Sequence, residues 1–208
     1  LLKIINKIMP RLKNKYRLPD TIDVEDIVEE KRSPYGLRTY VSLFSSAGVG
    51  CYGFKEEGFY CIATVELLER RLKIQKFNNK CAYNSGYICG DMTSQETKDK
   101  VFAELDLWKN TFNVTDLDVL IATPPCQGMS VANHKKKDEL KRNSLVVESI
   151  KMVDAIKPKF FIIENVRAFL KSICTDVDGK DKVIKEAIEL NLGGKYNILY
   201  RVVNFKDF

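Results

Sequence analysis

The stretch that decides the fold is residues 39–66, TYVSLFSSAGVGCYGFKEEGFYCIATVE. Its apolar runs predict one strand at 40–45 and a second at 60–66, and the residues between them predict a glycine turn and a helix to about Glu57. Two strands joined by a helix in this way lie parallel in one sheet. The stretch therefore predicts an α/β protein.

The same alternation of strand and helix continues along the rest of the chain. It predicts a doubly wound, largely parallel sheet with helices on both faces. The further predicted helices are 67–77, near 94–105, 143–156, 166–172 and 182–191, and the further strands lie just before Gly90 and at 117–122, 159–164 and 196–205.

Charge separates the amino-terminal part of the chain from the rest. Residues 1–19 hold six basic residues and no acidic one, whereas residues 20–30 hold six acidic residues and no basic one. Such blocks are typical of segments outside a packed core. We therefore expect an extension and linker at 1–38 and a domain at 39–208, a size at which a single core is stable.

Composition argues against a membrane protein, a secreted protein and a metalloprotein. No apolar run approaches the roughly 18 residues of a membrane helix, and we expect no secretory signal. The six cysteines are scattered without CxxC spacing, and His134 is the one histidine. The sequence thus predicts reduced thiols, a cytoplasmic or otherwise intracellular location and no metal site.

Small and acidic residues follow the predicted strands. Gly48 and Gly50 lie in the turn after the first strand, Glu66 ends the second, and Asp91 follows the third. A carboxylate at the position of Glu66 can accept hydrogen bonds from ribose hydroxyls. Asp91 can accept one from an exocyclic amine, although a turn that caps the next helix explains it equally well.

Two classes of nucleotide ligand fit this pattern. A dinucleotide oxidoreductase needs a pyrophosphate cradle, usually GxGxxG, and the turn Ser46-Ala47-Gly48-Val49-Gly50 does not match it. A mononucleoside cofactor such as S-adenosylmethionine needs no such cradle. The turn favours the second class.

Taken in order and spacing, the motifs resemble those of the DNA cytosine carbon-5 methyltransferases over about residues 39–208. The strongest signal is Pro-Pro-Cys-Gln at 124–127 with Glu-Asn-Val at 164–166, about forty residues later. The resemblance implies the Rossmann-like fold of S-adenosylmethionine-dependent methyltransferases and that cofactor. The cofactor-binding residues that it implies are Phe44, Ser45, Gly48, Gly50, Glu66, Leu67, Asp91, Met92, Pro125 and Leu145.

Three residues depart from the family pattern. Ser46 stands where the family usually has glycine, and Ser42 where it usually has aspartate. Leu67 stands where many members carry a tryptophan against the adenine, so one face of that sandwich would be aliphatic. Leu145 is explained equally well as plain helix core.

The resemblance also implies why a thiol follows two prolines. Carbon 5 of cytosine is a weak nucleophile, and in this family a cysteine thiolate first adds to carbon 6. The residue so implied is Cys126, and the stiff Pro124-Pro125 turn would fix where its sulfur points. A free thiol is only a few per cent ionised at pH 7, so nearby groups must favour the anion.

A second catalytic motif follows the predicted strand 159–164. By resemblance, Glu164 binds ring nitrogen 3 and the exocyclic amine and donates a proton, which requires a raised pKa in an apolar setting behind residues 160–163. Asn165 would brace the Pro-Pro-Cys loop, although a helix N-cap also explains it. No side chain stands out as the base for the carbon-5 proton, and solvent can serve.

The expected partner is double-stranded DNA, from which the target base must be flipped out. The polar and basic segment 131–142 is expected to close over it, with His134 as an ordinary loop residue. The DNA contacts that we expect are Gln127, Ser130, Lys135, Lys136, Lys137 and Arg142.

The expected activity is that of a DNA (cytosine-5-)-methyltransferase of restriction-modification type. A tRNA cytosine-5 methyltransferase and a non-catalytic, methyltransferase-like scaffold subunit are the alternatives, and an intact Cys126 and Glu164 argue against the scaffold. By resemblance, a Gln-x-Arg-x-Arg segment and a target-recognition domain would follow residue 208. We therefore expect an inactive chain that needs its missing carboxyl-terminal portion or a second subunit, and the sequence does not specify the target site.

Overall fold

The computed structural model describes residues 36–125, 140, 143–204 and 206. Five strands within them form one sheet in the order β3-β2-β1-β4-β5, and every neighbouring pair is parallel. The strands are β1 (Thr39–Leu43), β2 (Tyr60–Glu66), β3 (Tyr87–Cys89), β4 (Val119–Ala122) and β5 (Phe160–Ile163). The predicted parallel α/β fold is confirmed.

Helices connect the strands, and a short hairpin interrupts the order after β5. The helices are α1 (Tyr52–Glu56), which follows a 3-10 turn at Val49–Cys51, α2 (Glu69–Phe77), α3 (Gln95–Phe112), α4 (Leu145–Ile156) and α5 (Ile184–Leu192). The hairpin pairs β6 (Ile173–Thr175) with β7 (Asp181–Val183) in antiparallel register.

Side chains of β1 alternate between two apolar clusters, which is why every residue of the strand is buried. Val41 and Leu43 belong to the larger cluster, which includes Trp108 of α3 and Ile150 of α4. Tyr40 belongs to the smaller cluster, together with Cys51, Cys61 and Cys81 and with Phe54 of α1 packed against it. Because both faces are covered, the central strand has no solvated side.

The strand order contains one topological switch point. The chain builds outward from β1 through β2 to β3, and α3 then carries it back to β4 on the other side of β1. In open parallel sheets the two connections leave a crevice at the carboxyl ends of the strands that flank such a point. A ligand crevice is therefore expected between the ends of β1 and β4.

The last predicted strand is wrong. Residues 197–204 form no strand, and residue 205 lies outside the described part of the chain. Tyr196 and Ile198 pack against the main core, whereas Leu199 and Val202 are exposed. A strand needs a hydrogen-bonding neighbour, and no described strand pairs with this segment.

Two other predictions for the carboxyl-terminal part need correction. The helix expected at 166–172 is reduced to a 3-10 turn at Phe169–Lys171. The β6–β7 hairpin was not predicted, although Asp178-Gly179 is a known turn signal and Gly179 has a φ of 77°. An ion pair of 2.7 Å between Lys182 and the buried Asp176 fixes the hairpin.

Strand β5 lies at an edge of the described sheet and pairs only with β4 there. Two of its four side chains point into solvent, with 68% of Phe160 and 42% of Ile162 exposed. No described helix is long and apolar enough to cross a bilayer.

We expect Gly86→Ala to destabilise the protein. A Cβ at Gly86 would lie 2.5 Å from the backbone oxygen of Ile62 in β2, and a central strand cannot move away cheaply. The expected loss is about 1–3 kcal/mol, as for other overpacked sites. Gly53→Ala is the control because nothing lies within 4 Å of that Cβ, and alanine in α1 should gain roughly 0.5–1 kcal/mol. Urea unfolding of both variants tests this, and equal effects would contradict it.

Candidate active site

The glycine turn after β1 and the Pro-Pro stretch after β4 meet at the switch point. Leu43 and Ala122, the last residues of the two strands, are paired. Beyond them, Thr123 N donates to Leu43 O at 3.1 Å, and Thr123 Oγ1 donates to Phe44 O at 2.8 Å. The glycine turn and the loop that begins with the Pro-Pro stretch are thus joined at the mouth of the crevice.

The backbone of the turn is left-handed at alternate residues. The φ values are 55° at Phe44, 48° at Ser46 and 86° at Gly48. A non-glycine residue in this region costs about 1–2 kcal/mol, so the serine at 46 is the departure from the family pattern with the clearest structural cost. Ser42, another departure, is buried and contacts Cys51 Sγ at 3.1 Å.

The side-chain amide of Gln75 in α2 fixes this turn by hydrogen bonds. Its Nε2 donates to Ser45 Oγ at 2.9 Å and to Ser46 O at 2.5 Å. Its Oε1 accepts from Thr64 Oγ1 of β2 at 2.8 Å, and the side chain is buried. Sequence reasoning missed Gln75, because α2 is so polar that a single inward-facing amide gives no periodic signal.

Glu66 lies at the carboxyl end of β2 with its carboxylate held from three sides. Its Oε2 accepts from Ser46 N at 2.8 Å, and its Oε1 accepts from Leu68 N at 3.1 Å and from Arg71 Nη1 at 3.3 Å. The side chain is buried although it is charged. A buried carboxylate needs such donors, and Arg71 is a second residue that sequence reasoning missed.

Asp91 forms a turn before α3. Its Oδ1 accepts from Thr93 N at 2.9 Å, and its backbone oxygen accepts from Ser94 N at 3.0 Å. These contacts are those of the turn-forming alternative, and contact with an adenine amine remains a prediction. The preceding Gly90 is required by packing, since a Cβ there would lie 2.3 Å from Thr97 Oγ1.

The other residues predicted to bind the cofactor have different environments. Ser45 is buried and its hydroxyl donates to Val65 O at 3.1 Å, and Met92 packs in the main core. Leu67, beside Glu66, is 61% exposed. The half-buried Pro125 and Leu145 and the exposed Gly50 complete the set, whose contacts with a cofactor remain predictions.

Asn165 joins the second catalytic motif to the loop after β4. Its Nδ2 donates to Pro124 O at 2.7 Å, and its Oδ1 accepts from Val166 N at 2.9 Å. One side chain thus contacts the Pro-Pro stretch and also caps the turn that follows β5. Glu164 lies beside them, because its N donates to Ala122 O at 3.0 Å.

The apolar setting expected for Glu164 is absent from the described part of the chain. Glu164 is exposed, as are Phe160 and Ile162 in the strand before it. The cause is the position of β5 at an edge of the described sheet, where no described element covers the end of the strand.

Several predicted site residues lie outside the described residues. They are the nucleophile Cys126, the expected DNA contacts Gln127, Ser130, Lys135, Lys136, Lys137 and Arg142, and most of the segment 131–142 with His134. Their roles remain predictions. Pro125, the residue before Cys126, is the last described residue of its loop.

The parallel sheet, its switch point and the turn after β1 are the features of a Rossmann-like methyltransferase. A solved structure of a DNA modification methyltransferase encoded within a prophage of E. coli has this fold. It matches with a TM-score of 0.51 and 21% identity over 78% of this chain and 39% of that one. At that identity the match supports the fold alone.

The family itself is shown by sequence comparison. The model of the C-5 cytosine-specific DNA methylase family matches residues 38–208, and the chain belongs to this family. The resemblance noted from the motifs is thereby confirmed.

Relatives include three bacterial Type II methyltransferases. M1.HgaI of Avibacterium volantium is 34% identical over 81% of this chain and 45% of its own length. M.XorII of Xanthomonas oryzae is 31% identical over 81% of this chain and 36% of its length. M.AquIA of Picosynechococcus is 29% identical over 81% of this chain and 65% of its own length. The chain thus spans less than half the length of the first two relatives.

We expect Ser46→Gly to stabilise the protein. Glycine removes the cost of a left-handed φ at residue 46 but adds backbone entropy to the unfolded chain, so the net gain is about 0.5–1 kcal/mol. Ser94→Gly is the control, because Ser94 has a φ of −80° and its side chain makes no capping hydrogen bond. It should lose stability slightly. Thermal unfolding of both variants tests this, and a loss at Ser46 equal to that at Ser94 would contradict it.

Proposed function

We propose that this chain carries the cofactor-binding and catalytic residues of a DNA cytosine-5 methyltransferase of restriction-modification type. The reaction is transfer of a methyl group from S-adenosylmethionine to carbon 5 of cytosine through a covalent cysteine adduct. Membership of the C-5 cytosine-specific DNA methylase family and relatives named as Type II methyltransferases support this.

The observation that carries the proposal is the 2.7 Å hydrogen bond from Asn165 Nδ2 to Pro124 O. It ties the Glu-Asn-Val motif after β5 to the Pro-Pro-Cys motif after β4, two residues before Cys126. Two motifs about forty residues apart in sequence are thereby neighbours in space. A thiolate and a proton donor that act on one pyrimidine ring need this proximity.

The described residues at the crevice fit a mononucleoside cofactor. Glu66 offers carboxylate oxygens, which are acceptors for the two hydroxyl donors of a ribose. Leu67 is exposed beside it and supplies an apolar surface for a base. Gly50 opens into free space, since nothing lies within 4 Å of a Cβ built there. In this proposal Glu66 binds the ribose and Asp91 binds the adenine amine.

Catalysis begins at Cys126. Its thiolate adds to carbon 6 of the flipped cytosine, a bond forms between sulfur and carbon, and the electron pair of the carbon 5–carbon 6 double bond moves into the ring. Glu164 donates a proton to ring nitrogen 3 and so neutralises that charge. Glu164 is exposed in the described structure, so the flipped base itself must desolvate the carboxyl.

Carbon 5 is then electron-rich enough to take a methyl group, which S-adenosylmethionine, when bound, would supply from its sulfonium, with S-adenosylhomocysteine as the leaving group. Loss of the carbon-5 proton to solvent water, return of the ring-nitrogen proton to Glu164 and departure of the Cys126 thiolate restore the aromatic ring. Asn165 contributes by holding the loop that carries the thiol. In this proposal the side chains of Lys135, Lys136, Lys137 and Arg142 bind DNA phosphates without reading sequence, and Gln127 and Ser130 are further DNA contacts.

We further propose that target recognition resides in polypeptide outside these 208 residues. The chain spans 45% of M1.HgaI and 36% of M.XorII, so most of the length of these relatives has no counterpart in it. A further portion of the same protein or a second subunit supplies the remaining functions, and the chain alone does not methylate DNA.

The cofactor assignment predicts a specific effect of Glu66→Gln. Glutamine has one acceptor oxygen where glutamate has two, and it lacks the negative charge that Ser46 N and Arg71 bind. The affinity of the protein for S-adenosylmethionine should therefore fall at least tenfold. Glu69→Gln is the matched control, an exposed glutamate that pairs only with Lys73 among described residues. Calorimetry measures both. Tight binding of NAD without binding of S-adenosylmethionine would contradict the assignment.

The proposed nucleophile is tested by covalent trapping. The chain, supplemented with the polypeptide that supplies target recognition, should form an adduct with duplex DNA that carries 5-fluorocytosine, because fluorine cannot leave as a proton does. Cys126→Ser should abolish the adduct and methylation, since a serine hydroxyl is barely ionised at neutral pH. Cys89→Ser is the control, because Cys89 is an exposed thiol at the end of β3.

Three outcomes of this experiment would count against the proposal. Wild-type turnover by Cys126→Ser would overturn the mechanism. Methylation of tRNA in place of duplex DNA would identify the RNA enzyme of the same family. Sustained turnover by the isolated chain would show that recognition outside these residues is dispensable.

A further inference from the structure

A cavity of about 180 Å³ lies under the glycine turn, on the side of Gln75. Its walls include Tyr40, Gly48, Lys55, Gln75 and Lys80. Of the residues proposed to bind the cofactor, only Gly48 lines it. One ordered water needs roughly 10–15 Å³ of such space, so the cavity holds a polyatomic ion with ease.

Two lysines, Lys55 and Lys80, line the cavity, and among the described residues no carboxylate pairs with either of them. Lys80 is only 9% exposed, and its Nζ donates to Thr64 Oγ1 at 3.0 Å. Lys55 Nζ donates to the backbone oxygens of Asn78 and Asn79, at 2.9 and 3.2 Å. Neither lysine forms an ion pair with any carboxylate in the described part of the chain.

Unused hydrogen-bond donors accompany these charges. An ammonium has three N–H donors, so among described acceptors two donors of Lys80 and one of Lys55 have no partner. Burial lowers the pKa of Lys55, and the charge of Glu56 offsets this only in part. A buried cation with free donors costs free energy unless an anion compensates it.

We propose that this cavity binds a small oxyanion of the phosphate type, held between the ammonium groups of Lys80 and Lys55. A doubly charged oxyanion matches the two positive charges, and a tetrahedral ion presents oxygens toward both lysines at once. Lys80 comes from the loop after α2 and Lys55 from α1, so the ion links the two elements that support the turn. The site is separate from the one proposed for S-adenosylmethionine.

An internal counter-charge is the rival explanation. Cys61 lies in the small apolar cluster, with its Sγ 3.5 Å from Cys81 Sγ. Burial opposes ionisation of Cys61, but the hydrogen bond from Cys81 and the positive charge of Lys80 together lower its pKa. A Cys61 thiolate would then compensate Lys80, and the cavity would need no anion.

The experiment measures binding of inorganic phosphate by the full chain in a buffer free of other oxyanions. Calorimetry and thermal unfolding should show saturable binding that raises the Tm of the wild-type protein. Lys80→Met and Lys55→Met should each weaken phosphate binding at least tenfold. Lys73→Met is the control and should bind as wild type does, because Lys73 is exposed and pairs with Glu69.

The behaviour of Lys80→Met without phosphate separates lost binding from lost folding. Methionine removes an uncompensated buried charge, so this variant should unfold at the same temperature as the phosphate-free wild type or at a higher one. It should then gain nothing when phosphate is added.

Four results would overturn the proposal. The first is that the wild type binds no phosphate, and the second is that phosphate stabilises all variants equally. The third is that Cys61 titrates as a thiolate at neutral pH while the protein is indifferent to phosphate, and the fourth is that saturating S-adenosylhomocysteine excludes phosphate. The last would place the ion within the cofactor site. None of the first three results depends on cofactor binding, so failure of the phosphate proposal can be distinguished from failure of the methyltransferase proposal.

Discussion

The hydrogen bonding of β1 to β2 on one edge and to β4 on the other is the constraint on which the rest of the structure depends. It places the turn after β1 between the end of β2, which carries Glu66, and the end of β4, which leads to the Pro-Pro stretch. Residues from three separate parts of the sequence meet only because these three strands are parallel and adjacent. If any one of these strand pairings were lost, the residues of the site would no longer lie together.

Ser46 connects the strained turn to the carboxylate at the end of β2. Its N–H is bound by Glu66 and its C=O by Gln75, so both polar groups of one left-handed residue are fixed by other elements. Each such bond contributes about 1 kcal/mol, which is comparable to the cost of the left-handed φ. The conformation of the turn and the position of Glu66 are therefore coupled, and neither can change without the other.

The runs of apolar residues in the sequence predicted most of the sheet, because interior strands consist of the apolar residues that they bury. β2 matches its predicted bounds, and β4 and β5 lie within theirs. Gln75 and Arg71 were not predictable, since their importance depends on which loop folds over α2. The exposure of Glu164 depends on what covers β5, and the failure of residues 197–204 to form a strand depends on a missing neighbour. Both are properties of tertiary pairing, which periodicity does not encode.

The outer edge of β5 affects how the chain behaves in solution. Among the described strands this edge pairs with none, and an edge of that kind with the exposed apolar side chains of Phe160 and Ile162 is a template for strand addition. In the described part of the chain no charged residue or proline interrupts its four residues, FFII. Edge-to-edge association increases with concentration, so protein concentration is a variable to control whenever the stability or ligand binding of this chain is measured.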